Sequence, residues 1–210
     1  MKKLSVRLSS VLLVLLMAVG FSGCRMRTGD FDVTGYIQAV LKCSYLDETD
    51  DYVTFTSATE EEISDYQKVT VNNAAVRFFT KYEMNASDEQ IEKMEAVLTK
   101  AYANSKFTVE AKTETSSGYN VVVDYDIQTT FMNLEDDIVT KRAVAQSEGT
   151  ATTVGAAYID NVIEFCDNSI SEPTYDGNST TEFEIRIDND DNLSLNINLF
   201  DKIDEEILPF

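Results

Sequence analysis

The 210-residue chain has no histidine and no tryptophan, only two prolines, eight glycines and three cysteines, and 17 basic residues against 37 acidic ones. Each shortage closes off a class of function. Without histidine there is no Ser-His-Asp triad, no Cys-His dyad and no histidine-ligated zinc. Without tryptophan the best sugar-stacking side chain is missing. The scattered glycines form neither GxxxxGK[ST] nor GxGxxG, so no phosphate-cradling loop is present. A net charge of −20 repels nucleic-acid phosphates, and no Lys/Arg cluster offsets it, which excludes nucleic acid as a partner. Long apolar runs are also lacking. The one from Val11 to Phe21 has 11 residues. A spanning helix needs about 18 or more.

That short run is flanked in a telling way. Lys2, Lys3 and Arg7 precede it and Ser22-Gly23-Cys24 follow it, the basic, apolar and small-residue zones of an export signal. Phe21-Ser22-Gly23-Cys24 resembles the lipobox of bacterial lipoproteins, in which the cysteine thiol takes a diacylglyceryl group and the chain is cut just before it. Phe21 departs from the more usual leucine. The expected organisation is a lipoprotein signal peptide over 1–23, a lipidated tether over 24–29 and a single acidic domain over 30–210. Two or more acyl chains anchor stably, so the membrane itself is the first expected partner. The expected location is the outer face of the cytoplasmic membrane of a Gram-positive-type bacterium. Arg25 to Gly29 reach at most about 17 Å. Three of the basic residues leave with the signal, and the 14 that remain face all 37 acidic ones, a net charge of −23.

Within the domain, Asp32 suits the cap of a helix whose apolar positions Val33, Tyr36, Ile37, Val40, Leu41 and Tyr45 recur at helical spacing. Asp47 to Asp51 read as an acidic turn. Thr59 with Glu62 forms a capping box opening a second helix that faces inward with Ile63, Tyr66, Thr70, Ala74 and Phe78. Ser87 with Gln90 opens a third, burying Ile91, Met94, Leu98 and Tyr102. The period then changes to two. Phe107, Val109 and Ala111 alternate, Ser116-Ser117-Gly118 turns, and Tyr119, Val121, Val123, Tyr125, Ile127 and Thr129 alternate on the way back. A helical stretch starts near Leu134, weak around Gly149 and Gly155, and is clear at Tyr158, Ile159, Val162, Ile163 and Cys166, with Pro173 beyond. A second hairpin sets Phe183, Ile185 and Ile187 against Leu193, Leu195, Ile197 and Leu199 across the Asp188–Asn192 tip. A short acidic tail ends the chain. The expected fold class is α+β, with N-terminal helices followed by an antiparallel sheet of about four strands, two hairpins separated by a helical segment.

The segment Phe31-Asp32-Val33-Thr34-Gly35-Tyr36-Ile37, running on to Leu41 and Tyr45, resembles the opening of uncharacterised clostridial-type lipoproteins. Lys106-Phe107-Thr108-Val109 and the hairpin after it are similar too. The resemblance implies a cystatin-like or NTF2-like domain, a curved sheet wrapping a helix, in a cell-surface setting. It brings no catalytic residue with it.

Little else points to chemistry. Asp188-x-Asp190-x-Asn192 imitates half of an EF-hand loop, but Leu193 and Leu199 stand where glycine and glutamate belong, so the segment reads as a hairpin tip and no metal is expected. Nor is a cofactor expected. Cys43 and Cys166 are either a disulfide or two buried thiols. Thirty-seven acidic residues make a carboxylate pair for a hydrolase easy to imagine and impossible to single out. Tyr119, Tyr125, Phe131 and Phe183 would line a pocket in an NTF2-like cone, or else fill the core. The expected function is a non-enzymatic binding module near the membrane, engaging a cell-envelope protein or peptide. The alternative is a capture protein for a small-molecule ligand or peptide, and a carboxylate-dependent hydrolase comes third.

Overall fold

A computed structural model describes residues 31–132, 136–138, 156–187, 193–196 and 198–210. The signal, Cys24 and the tether lie outside these residues, as do Leu134, Gly149, Gly155, the 188–192 tip and Ile197.

Local sequence rules place the first helices. The Asp32 carboxylate accepts the Gly35 N–H at 2.8 Å and starts α1, Val33–Leu46, which ends where Asp47 adopts a left-handed conformation. The six apolar positions expected to face inward are all buried. The acidic turn is shorter than its composition suggests. Asp50 and Asp51 open a helix, α2, Asp50–Thr56, where their charge favours the N-terminal dipole. Both capping boxes form, Thr59 with Glu62 at the head of α3, Glu60–Lys81, and Ser87 with Gln90 at the head of α4, Asp88–Tyr102. Ile63, Thr70, Ala74 and Phe78 are buried on α3, and Met94, Leu98 and Tyr102 on α4, while Tyr66 and Ile91 are partly covered.

Among the described residues five strands form one antiparallel sheet. β1, Phe107–Val109, and β2, Thr113–Thr115, share one side of β3, Gly118–Gln128, whose other side pairs with β4, Tyr175–Ile187; β5, Leu193–Leu195, follows β4. Tyr119, Val121, Val123 and Tyr125 alternate inward, with Val121 opposite Phe183 and Tyr119 opposite Ile185. The alternation then breaks. A bulge between Asp126 and Gln128 shifts the register, so Gln128 turns inward and Ile127, expected inside, is only partly covered. Gly118 sits where a Cβ would lie 1.9 Å from the Ile185 carbonyl oxygen, so the start of β3 tolerates no side chain.

α5, Ala156–Ser169, buries Ile159, Val162, Ile163 and Cys166 and ends before Pro173. Two ion pairs run from α4 to α5, Lys100 to Asp167 at 2.7 Å and Lys93 to Asp160 at 3.4 Å.

The chain end overturns the reading of a strand reaching Leu199 and a plain acidic tail. Residues Asn198–Ile207 form a helix, α6, that buries Phe200, Ile203 and Ile207. The alternation of Leu193, Leu195 and Leu199 mimics a strand, but the three- and four-residue spacing of 200, 203 and 207 lays a continuous apolar stripe on the sheet. Phe200 meets Phe183 with ring centroids 4.9 Å apart. The opposite face of β4 carries Thr180, Glu182, Glu184 and Arg186, all exposed.

Candidate functional site

Two features outside ordinary core packing lie at the junction of α1, α6 and the sheet. The first is a polar cluster. α6 is amphipathic, and the stripe that docks it leaves Asp204 and Glu206 to meet groups on neighbouring elements. Tyr45 of α1 donates its hydroxyl to the Asp204 carboxylate. Arg77 of α3 donates to the Asp204 carbonyl at 3.2 Å, and the Tyr102 hydroxyl of α4 reaches the same oxygen at 3.4 Å. Tyr45 and Tyr102 stack at 5.3 Å. Burial pushes the Asp204 carboxyl up to about 7, against the lowering effect of the Tyr45 hydrogen bond and Arg77, and Asp201 and Glu205 add to the rise.

Glu206 behaves in the opposite way. The Tyr125 hydroxyl donates to it at 2.6 Å and Ser179 at 2.9 Å, and these bonds, with Lys202 at 3.5 Å, hold its carboxyl below the usual range. Tyr125 also shares a hydrogen bond with Thr181 at 3.1 Å.

The second feature is a cleft of about 480 Å³ between α1 and the start of β1. Gln38, Lys42 and Leu46, four residues apart, form one wall as a single stripe of α1. Ser105 to Thr108 form the other, backed by Asp124, Tyr125 and Asp126 of β3 and Asn178 of β4. The cleft takes residues from both faces of the sheet, since Phe107 pairs with Tyr125 on the inward face. Thr108 pairs with Asp124, and Asp126 with Asn178, so these side chains share one face of the sheet. Lys42 is bound to Glu48 at 2.6 Å, and the Lys106 ammonium rests 3.6 Å from the centroid of the Tyr175 ring. The Ser105 hydroxyl is buried with no hydrogen-bond partner.

The four aromatic residues named from the sequence have separate places. Tyr119 and Tyr125 lie on β3 and Phe183 on β4, 8%, 1% and 0% exposed, and Phe131 is fully buried against Phe78 and Phe210. Phe183 packs on Phe200. Of the four, Tyr125 borders the cleft. Cys43 and Cys166 are buried free thiols, not a disulfide. Burial pushes the first up to about 11, with Asp47 contributing, and the second up to about 12, which makes both poor nucleophiles at neutral pH. Among the described residues no cluster of three or more acidic or cysteine side chains is placed to hold a metal ion, and no helix is long and apolar enough to cross a membrane.

No family model matches the chain, and no curated protein sequence matches it. Among solved structures it is similar to YcdA, a candidate lipoprotein of Bacillus subtilis subsp. subtilis str. 168, with a TM-score of 0.59 at 10% identity. What the two share is the fold. The match covers 85% of this chain and 56% of that one, so the chain spans little more than half of YcdA's length.

Neither Asp204 nor the cleft was named from the sequence. The signal for α6 was present in the spacing of Phe200, Ile203 and Ile207. Nothing local distinguishes Asp204 from the other carboxylates.

Proposed function

We propose that the chain is a lipid-anchored binding module without enzymatic activity, held through Cys24 on the outer face of a Gram-positive-type cytoplasmic membrane. The observation that carries this reading is Phe21-Ser22-Gly23-Cys24 at the close of a basic-then-apolar leader. The likeness in fold to a candidate lipoprotein supports it. Kinship with clostridial-type lipoproteins and a cystatin-like or NTF2-like domain belongs to the same proposal and rests on the resemblance of Phe31 to Ile37 and of Lys106 to Val109.

The cleft beside α1 is the module's docking place. At about 480 Å³ it favours a peptide or a small molecule over a broad protein surface, which keeps capture of a small ligand as the second reading. Partners of the net-negative domain are cell-envelope proteins or peptides rather than nucleic acid.

Phase separation in a cloud-point detergent tests the anchor. The native chain is expected in the detergent phase and Cys24→Ala in the aqueous phase or the medium. An exported Cys24→Ala chain as firmly membrane-bound as the native one refutes the anchor.

A further inference from the structure

We propose that the cleft between α1 and β1 takes a short extended peptide segment bearing a basic side chain, added as a further strand to the free side of β1. This deepens the reading of the chain as a binding module and depends on it.

The backbone of β1 supplies the first reason. The Asp126 N–H donates to the Lys106 carbonyl at 3.0 Å, and the Glu110 N–H to the Val122 carbonyl at 2.8 Å. In an antiparallel ladder alternate residues bond the neighbouring strand, so 106, 108 and 110 face β3. Phe107 and Val109 therefore turn their N–H and C=O groups the other way. β1 ends the strand order on that side, and among the described residues no strand covers it. Such an edge is a template for one more strand.

Size supplies the second. The stripe Gln38–Lys42–Leu46 opposite the edge spans nine residues of helix, eight steps of 1.5 Å or about 12 Å. An extended chain rises about 3.3 Å per residue, so three to four residues fit along that wall. The cleft volume of about 480 Å³ suits the same length.

Charge supplies the third. Both lysines at the cleft are already engaged, Lys42 by Glu48 and Lys106 by the Tyr175 ring. Asp124 and Asp126 border the cleft with no ion pair among the described residues. A basic side chain on the occupant supplies the missing charge, and the chain's net charge of −20 draws such a segment in.

The test uses the detergent-solubilised full-length chain and fluorescently labelled, end-capped tripeptides Val-Lys-Val and Val-Glu-Val, followed by anisotropy. Saturable binding is expected, at least tenfold tighter for the lysine peptide, and that preference should vanish in the Asp124→Asn, Asp126→Asn double variant. Methylating the peptide's backbone nitrogens, which leaves the protein untouched, is expected to weaken binding tenfold or more. Val109→Pro, which removes an outward N–H but no bond to β3, should do the same. Absence of saturation at millimolar peptide, equal affinity for the two peptides, or indifference to N-methylation overturns the proposal. A chain that stays in the detergent phase yet ignores the peptides refutes the docking mode and leaves the anchor standing.

Discussion

Asp204 shows how one side chain acquires a property that its neighbours in sequence lack. Its carboxyl is raised to about 7, so the folded chain holds that proton more tightly than the unfolded chain, where the ordinary value is 3.8. Its contribution to stability is therefore full below about 3.8, shrinks as pH rises, and is gone above about 7. Asp204→Asn keeps an oxygen to accept the Tyr45 hydroxyl and removes the charge. Thermal melts should show the variant matching the native chain near pH 4 and exceeding it at pH 8 by about 5 °C. An unchanged difference across that range would contradict the assignment. The two thiols give a second prediction at this scale. With Cys43 and Cys166 buried and their ionisation suppressed, a thiol reagent at pH 8 should label neither in the folded chain and both after denaturation. Asp204 was not legible in the sequence, because only tertiary enclosure sets it apart from 36 other acidic residues.

Among elements, legibility followed how local the determining physics is. α1, α3 and α4 declare themselves by a cap residue and a 3.6-residue period within a few positions of each other. α2 is a seven-residue helix whose signal is hidden in an acidic run that also suits a turn. α6 is ambiguous in the sequence because Leu193, Leu195 and Leu199 fit one period while Phe200, Ile203 and Ile207 fit another, and contact with the sheet decides between them. The bulge in β3 was invisible for a similar reason, since its position depends on the partner strand. Two substitutions test these elements. Phe200→Ala removes the ring that packs on Phe183 and should cost about 3–5 kcal/mol in denaturant unfolding. Gly118→Ala forces a methyl against the Ile185 carbonyl oxygen, 1.9 Å away, and should lower the melting temperature by more than an exposed Gly→Ala change would. A neutral result there would mean that the strands separate freely at that end.

For the whole molecule, the fold class was readable because runs of helical period precede runs of period two, and the order of elements leaves few antiparallel arrangements. The cleft was not, since it exists only where residues 38–46 are brought beside residues 105–108 by the path of the chain. Its helical wall and its back are linked through α6. Tyr45, on the same helix as Lys42 and Leu46, is tied to Asp204, and Tyr125, at the back of the cleft, is tied to Glu206. α6 is thus a brace whose two fixings, Asp204 and Glu206, lie two residues apart. Burial raises the carboxyl at one fixing to about 7, while hydrogen bonds hold the carboxyl at the other below the usual range, so a single turn of α6 joins the helical wall and the back of the cleft through two acids of opposite disposition.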